Sequence, residues 1–243
     1  AVAVLGTVAI VILAGQRASA KESGPARAKA AADRVRPLLT RDLTKAGLSF
    51  GSPVFIRIFK EERHLELWMQ QPGKQTYKLF RTYHIAAMSG SLGPKLAEGD
   101  RQAPEGFYFV PRSRMNPNSN FHLSFNLGYP NGFDRAHQRT GSALMVHGNK
   151  VSIGCFAMTD PKIEEIYTLC DAAHNNGQDY FRVHSFPFRM TANRMAQAKE
   201  SKWHSFWQNL QQGYDLFEKS TIPPNTTPAA ATTFVASAFA PAT

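Results

Sequence analysis

Near the middle of the chain, a histidine and a cysteine stand eight positions apart, as His147 and Cys155. A cysteine attacks an acyl carbon as the thiolate, which is the minor form near neutral pH because the pKa of a free thiol is about 8.5. A neighbouring imidazole can accept the proton, so we predict that Cys155 is a nucleophile and His147 its general base and proton donor. The alternative is a buried thiol and a hydrogen-bonded histidine in a core turn. His84, His122 and His137 lie outside any such pattern and are expected to be structural.

Two glycines beside the pair would complete this chemistry. A base must be held in one tautomer, and the carbonyl oxygen of Gly148 can accept a hydrogen bond from the second ring nitrogen of His147. Gly154 has no side chain, so a substrate can approach the backbone closely, and the N–H groups around this glycine can stabilise an oxyanion. The predicted chemistry is acyl transfer without a cofactor, and no set of Cys and His residues has the spacing of a metal site.

The segments on either side of the pair predict how it is positioned. Residues 143–146 form a short apolar run, typical of a buried strand, which ends at His147. Beyond the cysteine, Asp160 is the expected N-cap of a helix, with Pro161 at its first position and Glu164 as its capping-box partner. That helix is expected to pack on a sheet, and its dipole gives a thiolate at most partial help.

Several other runs have the two-residue period of strands. They alternate in hydrophobicity or are rich in β-branched and aromatic residues, and charged or Pro-Gly segments divide them. The first three predict an antiparallel meander without an intervening helix. The strands are expected at 54–59, 65–69, 77–83, 107–110, 122–125 and 180–186.

The chain is strongly basic. It has 28 Lys and Arg residues against 18 Asp and Glu, a net charge of +10. Such a bias favours a polyanionic partner, such as nucleic acid, an anionic membrane face or an anionic cell wall. Because no basic run is interleaved with aromatic residues as a single-strand binder requires, we expect no nucleic-acid partner.

The first residues predict export. Residues 1–14 are a continuous apolar run, and Ala18-Ser19-Ala20 is a small-x-small cleavage site. We expect a signal peptide and a location in the periplasm or cell envelope. Alternatively the segment stays uncut as an N-terminal anchor, which is the only membrane contact we expect. Cys155 and Cys170 do not make a disulfide scaffold, and Cys170 is expected to be buried and reduced.

The segment around His147 and Cys155 resembles the active-site signature of the L,D-transpeptidase (YkuD-like) catalytic domain family. The usual signature is His-Gly, a variable insert, and then Ser-His-Gly-Cys-hydrophobic-Arg. Here Ile153 replaces the second histidine and Ala157 replaces the arginine, two departures that are typical of the YafK branch. The likeness extends over residues 50–185. It is dense in the stretches 89–100, 103–108, 129–134 and 163–167.

This resemblance implies a cysteine acyl-transfer enzyme that acts on peptidoglycan stem peptides. Cys155 would attack the carbonyl of the L-centre of a diaminopimelate at stem position three, and His147 would protonate the leaving amine, which leaves a thioester. An amine acceptor makes the enzyme an L,D-transpeptidase, whereas water makes it a carboxypeptidase or an amidase that releases a wall-linked lipoprotein. Because two signature residues are replaced, a non-catalytic wall-binding module is the alternative.

Five further residues are candidates for substrate contact. A long loop rich in Gly, Pro and charge holds Lys95, Glu98 and Asp100, and such loops are more often functional than idle. These side chains suit the carboxylates, amides or amines of a wall peptide, and the alternative is plain solvation. Ser152 and Tyr108 lie in stretches that match the family, and the resemblance implies that they also contact substrate.

The expected fold class is β-rich α+β. It is an L,D-transpeptidase-type mixed or antiparallel β-sheet sandwich or partial barrel with one packed helix and helical extensions at both ends. A chain of 243 residues suits one such domain with extensions. The last segment is rich in Pro, Thr and Ala and lacks charge, so we expect disorder. The expected divisions are a signal peptide or anchor at 1–20, a helical segment at 21–50, the catalytic domain at 51–187, a C-terminal helix at 188–220 and a disordered tail at 221–243.

Overall fold

The computed structural model describes residues 23–229 and 233–237, so the predicted export segment at 1–20 lies outside the described residues. Among the described helices, none is long and apolar enough to cross a membrane. The helices are α1 (Gly24–Ala46), α2 (Gly132–Ala136), α3 (Asp160–Asn175), α4 (Ala192–Gln197) and α5 (His204–Ser220). The strands are β1 (Val54–Phe59), β2 (His64–Gln70), β3 (Tyr77–His84), β4 (Gly106–Pro111), β5 (Met115–Asn116), β6 (Ser124–Asn126), β7 (Met145–His147), β8 (Phe156–Ala157), β9 (Tyr180–Phe186), β10 (Asn225–Ala229) and β11 (Thr233–Ser237).

A five-stranded mixed sheet is the centre of the fold, in the order β3-β2-β1-β9-β4. The first three strands pair antiparallel, which confirms the predicted meander, while β9 pairs in parallel with β1. The β3–β4 loop, residues 85–105, connects the two edge strands of this sheet. A second sheet, β5-β6-β7-β8, contains the parallel pair of β7 and β8. The predicted β-rich α+β fold class is confirmed.

Strand β1 is buried on both faces because a different layer covers each one. On one face, Ile56 belongs to a core that includes residues of α1, α3 and the second sheet. On the other face, Phe59 belongs to an aromatic core with Trp207 and Tyr214 of α5. The alternation of side chains along a strand therefore divides the interior into two cores.

The helical segment predicted at 21–50 contains one long helix, α1. Its N-cap is Ser23, whose hydroxyl accepts the N–H of Ala26. Arg34 of α1 donates to Glu164 of α3 through two nitrogens, at 3.2 and 2.6 Å. Glu164 thus joins two helices rather than forming the predicted capping box. The N-cap of α3 is Thr159 and not the predicted Asp160.

The C-terminal region differs from the single helix predicted at 188–220. Two helices, α4 and α5, are separated by a turn in which the N–H of Trp203 donates to the hydroxyl of Ser201. The turn allows Met195 of α4 and Trp207 of α5 to enter the same aromatic core. The prediction of one uninterrupted helix is therefore wrong.

The tail predicted to be disordered, residues 221–243, contains a β-hairpin. Strands β10 and β11 pair antiparallel, with Asn225 opposite Ser237 and Ala229 opposite Thr233. Both strands contain β-branched residues, which favour extended structure even where charge is absent. The prediction of disorder is wrong for the described residues of this tail.

A buried ion pair fastens the β3–β4 loop to the sheet. The ammonium of Lys60 lies 2.9 Å from the carboxylate of Glu105, and both side chains are almost fully buried. Lys60 also donates to the carbonyls of Gly93 and Ala103. Glu105 accepts the N–H of Gly93 and the indole N–H of Trp207 on α5. This complete set of partners offsets the cost of burying two charges.

Replacing Glu105 by glutamine is expected to lower the free energy of unfolding by about 3–5 kcal/mol, because the buried ammonium of Lys60 loses its counter-charge. Glu61→Gln is the matched control, since it removes a carboxylate from the more exposed pair with Arg194, where the expected loss is about 0–1 kcal/mol. Urea unfolding measures both values. Equal losses in the two variants would contradict the role assigned to the buried pair.

Candidate active site

The second sheet brings His147 and Cys155 onto neighbouring strands. β7 ends at His147 and pairs in parallel with β8, with Val146 opposite Phe156. Cys155 immediately precedes β8, and its sulfur accepts the N–H of Met145 at 3.4 Å. The pairing therefore places the thiol beside β7. It contacts this strand at Met145, two residues before the imidazole of His147.

His147 is buried and held in one tautomer. Its Nδ1 lies 2.5 Å from the carbonyl oxygen of Gly148, the acceptor that the sequence predicted. Because a carbonyl only accepts, Nδ1 carries the proton and Nε2 keeps its lone pair. The ring of Phe121 packs on the imidazole with 4.7 Å between centroids. Burial lowers the pKa of His147 and the Gly148 hydrogen bond partly offsets this, so the ring is neutral near pH 7 and suited to act as a base.

The half-buried thiol of Cys155 is also neutral at rest. Loss of solvation raises the pKa of the thiol, whereas the N–H of Met145 and the positive charge of Lys95 lower it. The sulfur donates weakly to the carbonyl of Ala143 at 3.6 Å. Within the described chain, no hydrogen bond joins this thiol to the imidazole of His147. The resting site thus holds two neutral groups, and catalytic hydrogen bonds often tighten only when substrate binds.

Ser152 shapes the turn before the cysteine from within. Its hydroxyl donates to the carbonyl of Cys155 at 2.6 Å and accepts the N–H of Gly154 at 3.1 Å. Both bonds lie within the turn, and a contact of Ser152 with a substrate stays a prediction. The N–H of Gly154 is occupied as well, which leaves the N–H of Cys155 as the candidate oxyanion donor in this turn.

The β3–β4 loop is organised by an ion pair between two of the predicted contact residues. Buried Lys95 donates to Asp100 at 2.5 Å and to the carbonyl of Ala97 at 2.8 Å. Partial burial raises the pKa of Asp100, but hydrogen bonds from Lys95 and from three backbone N–H groups lower it to about 2. Lys95 and Asp100 therefore bind each other. Glu98 is exposed, and its contact with a substrate stays a prediction.

Tyr108 does not reach the site. Its side chain is 1% exposed within β4, and its hydroxyl lies 3.2 Å from the carbonyl of Glu105 and 3.3 Å from the carboxylate of Asp134. The predicted substrate contact is wrong because this position of the strand faces the core.

Two of the histidines expected to be structural, and the second cysteine, have partners or positions within the fold. His122 lies 2.8 Å from Glu164, and the ring of His137 bonds to the carbonyl of Phe133 at the end of α2. Cys170 is buried and free in α3, as predicted. Across the residues that the structure describes, no group of three or more His, Cys, Asp or Glu residues is placed to hold a metal ion.

The two departures from the family signature lie in different environments. Ile153 is 78% exposed, so it replaces the usual histidine at the surface of the site. Ala157 is fully buried, and its N–H donates to Ala87 at 2.9 Å while its carbonyl accepts from Ala86 at 2.8 Å. An arginine at this position would bury its charge, which is costly unless partners are supplied.

Two contacts of the site were missed from the sequence. Phe121 covers the imidazole, but its type and spacing give no chemical signal. Met145 lies within the predicted strand, yet its N–H meets the sulfur only because β7 and β8 pair in one particular register. The contact between Met145 and Cys155 could have been predicted only if this register had been known.

Gly154→Ala is expected to lower the free energy of unfolding by about 1–3 kcal/mol. The backbone there has φ of 137°, which other residues rarely adopt, and an added Cβ would lie 3.3 Å from Leu144. Gly73→Ala is the matched control, since Gly73 has φ of 68° and nothing within 4 Å, so we expect a loss of about 1 kcal/mol from backbone strain alone. Thermal melts compare the two variants. A Gly154 variant as stable as the wild type would refute the strained turn.

Comparison with known proteins agrees with the resemblance. A family model described as YkuD, the L,D-transpeptidase catalytic domain, matches residues 53–176. YafK of Escherichia coli K12 is 47% identical over 174 residues, which cover 72% of this chain and 70% of YafK. YafK of Escherichia coli O157:H7 gives the same values.

Two solved structures also align with the chain. A point variant of the helical cell shape determining protein Pgp2 from Campylobacter jejuni aligns with a TM-score of 0.46 and 19% identity over 72% of this chain and 63% of that chain. Bd1075 from Bdellovibrio bacteriovorus aligns with a TM-score of 0.38 and 19% identity over 68% of this chain and 60% of that chain. This chain thus spans less than two thirds of either aligned protein. On the domain match and the identity to YafK, the chain belongs to the L,D-transpeptidase (YkuD) catalytic domain family and to its YafK branch.

Proposed function

We propose that this chain is an exported cysteine acyl-transfer enzyme of peptidoglycan, with Cys155 as the nucleophile and His147 as the base and proton donor. One observation carries the proposal. The parallel pairing of β7 and β8 sets the thiol against the strand that ends in an imidazole already fixed as the Nδ1–H tautomer. Membership of the family supports the substrate class, the stem peptides of the wall.

The first half-reaction forms a thioester. Nε2 of His147 takes the thiol proton while the sulfur of Cys155 attacks the L-centre carbonyl of a diaminopimelate. A carbon–sulfur bond forms, and the carbonyl oxygen becomes an oxyanion, for which the N–H of Cys155 is the proposed donor. On collapse, the carbon–nitrogen bond breaks and the imidazolium gives its proton to the leaving amine.

The acceptor in the second half-reaction decides the class of enzyme. An amine that attacks the thioester gives an L,D-transpeptidase. Water gives a carboxypeptidase, or an amidase that releases a wall-linked lipoprotein. In each case His147 takes the proton of the acceptor. Ile153, two residues before Cys155, presents an exposed apolar side chain where the usual family member has a histidine.

The proposed location is the periplasm or cell envelope. Residues 1–20 have the pattern of a secretory signal, and the net charge of +10 suits an anionic wall. The proposal includes neither a cofactor nor a nucleic-acid partner. It allows membrane contact only through an uncut N-terminal segment.

A non-catalytic wall-binding module is the second candidate. One observation favours it, namely that the described thiol and imidazole are both neutral and have separate hydrogen-bond partners. The two candidates differ in what Cys155 contributes. A module binds the wall through its surface and does not require the thiol of Cys155, whereas the enzyme requires this thiol for turnover.

We expect purified protein to convert diaminopimelate-containing wall fragments to crosslinked, shortened or released products, with a covalent adduct on Cys155. Cys155→Ala should reduce turnover by roughly a thousandfold or more, in line with nucleophile removal in other acyl-transfer enzymes. Cys170→Ala is the matched control, because this second thiol is buried in α3 and should be dispensable for turnover. Mass spectrometry scores the products and the adduct.

The same assay separates the candidates. Wall fragments that bind without any product, with equal binding by Cys155→Ala, would establish the module and rule out the enzyme. A wall-linked lipoprotein fragment added as substrate distinguishes release from crosslinking.

A further inference from the structure

An aromatic ring packs on the imidazole that the proposed reaction uses as its base. The ring centroids of Phe121 and His147 lie 4.7 Å apart, and the two planes are tilted by 32°. The two side chains differ in exposure, since His147 is 2% exposed and Phe121 is 41% exposed. Phe121 thus contributes to the burial of the imidazole while part of its own surface remains in contact with water.

The backbone of Phe121 is bonded to the turn that fixes the imidazole. The N–H of Gly148 donates to the carbonyl of Phe121 at 3.0 Å and to that of Leu123 at 3.1 Å. An added Cβ on Gly148 would lie 2.7 Å from the carbonyl oxygen of Phe121, so the two backbones are in direct contact. The carbonyl of Gly148 in turn accepts from Nδ1 of His147. The segment that contains Phe121 therefore supports the imidazole through the ring and through this glycine.

Helix α1 holds the loop that contains Phe121, the β5–β6 loop at residues 117–123. From α1, Nη1 of Arg27 donates to the carbonyl of Ser119 at 3.0 Å and to the carbonyl of His122 at 2.9 Å. These two carbonyls lie on either side of Phe121 in the chain. A helix outside the predicted catalytic domain thus fixes the backbone from which the ring of Phe121 extends.

A second contact holds the same loop from α3. The ring of His122 lies 2.8 Å from the carboxylate of Glu164, which also accepts from Arg34 of α1 at 2.6 Å. The backbone of His122 has φ of 68°, in the left-handed region that residues other than glycine seldom adopt. Such a conformation persists only where the surroundings impose it. The contacts of the loop therefore select one backbone path, the one that places Phe121 on the imidazole.

We propose that Phe121 is a positioning residue that keeps the imidazole of His147 shielded from water and aimed for proton transfer, and that helix α1 holds Phe121 in place through Arg27. The inference rests on the proposed function, in which His147 is the base. A general base must be neutral at the working pH and held within reach of the proton that it takes. Water at the imidazole would favour the charged form, and rotation of the ring would break its hydrogen bond to Gly148.

The titratable groups on the elements around His147 are Cys155 from the segment before β8, His122 from the β5–β6 loop with its partner Glu164, and Asp160 from α3. Burial lowers the pKa of His147, and the hydrogen bond to Gly148 raises it. A side chain that supplies part of this burial therefore affects the charge state of the base.

The test is an NMR titration of the ring of His147 in the whole protein, with His147→Gln to identify its resonance. The long-range nitrogen–proton spectrum shows which ring nitrogen carries the proton, and the parent should show the Nδ1–H tautomer. Phe121→Ala should raise the pKa of His147 toward the ordinary value of about 6.5 and mix the two tautomers, because water then reaches the ring. Phe121→Tyr keeps an aromatic ring and should keep the parent spectrum.

Two matched controls separate positioning from a general effect of substitution. Tyr180→Ala removes another aromatic side chain that is 41% exposed, but one whose ring packs on Phe109. Arg27→Met should change the spectrum in the same direction as Phe121→Ala, though less. Its control is Lys29→Met on the same helix, since Lys29 is exposed and pairs with Asp33. Both controls should keep the parent spectrum.

Melting curves show which variants are folded. A folded Phe121→Ala protein with the parent pKa and tautomer would overturn the inference, as would an equal change in Tyr180→Ala. An unchanged spectrum in Arg27→Met would overturn the role of α1. If Phe121→Ala does not fold, the spectrum of Arg27→Met decides, and an unchanged one overturns the whole inference.

The titration needs no wall substrate, so its failure and that of the proposed function are distinguishable. With wall fragments, Phe121→Ala should reduce turnover by about tenfold, because the base is less well placed. The predicted change in the spectrum together with a parent that has no turnover would support the role of Phe121 and refute the enzyme. Turnover by the parent with an unchanged spectrum in Phe121→Ala would refute only the role of Phe121.

Discussion

The parallel pairing of β7 and β8 is the constraint on which the candidate site depends. The paired strands are short, but hydrogen bonds continue the pairing beyond them. The N–H of Met158 donates to the carbonyl of His147 at 2.8 Å, and the N–H of Thr159 donates to the carbonyl of Asn149 at 2.9 Å. A slip of one residue would turn the side chains to opposite faces. The thiol and the imidazole therefore share a location because backbone hydrogen bonds fix the register, and neither side chain has to hold the other.

The rest of the fold supports that register through buried charge and through two cores. β1 is covered on both faces, and the aromatic core on its α5 side also surrounds the guanidinium of Arg57, which pairs with Glu218 at 2.7 Å. On the same side, Lys60 and Glu105 fix the β3–β4 loop. Burying charges is costly unless their partners are complete, as they are for Lys60 and Glu105, so this pair specifies one loop position and resists alternatives. The C-terminal helix α5 thus packs on the central sheet and forms part of the core of the catalytic domain.

The sequence predicted what depends on period and on local chemistry. The meander, the buried strand before His147, the buried Cys170 and the orientation of the imidazole by Gly148 all follow from residues close together in the chain. What depends on distant contacts was not predictable. Tyr108, for example, matches the family yet lies in the core. The single C-terminal helix and the disordered tail failed because packing and strand pairing override composition.

The burial of Ala157 also bears on how such a site can change over generations. Its backbone bonds to residues 86 and 87, and its side chain is fully buried. A mutation to arginine there would bury a guanidinium away from solvent, which is costly unless the surrounding residues supply a counter-charge and acceptors. A single change at residue 157 therefore selects against itself unless the segment that packs on β8 changes with it.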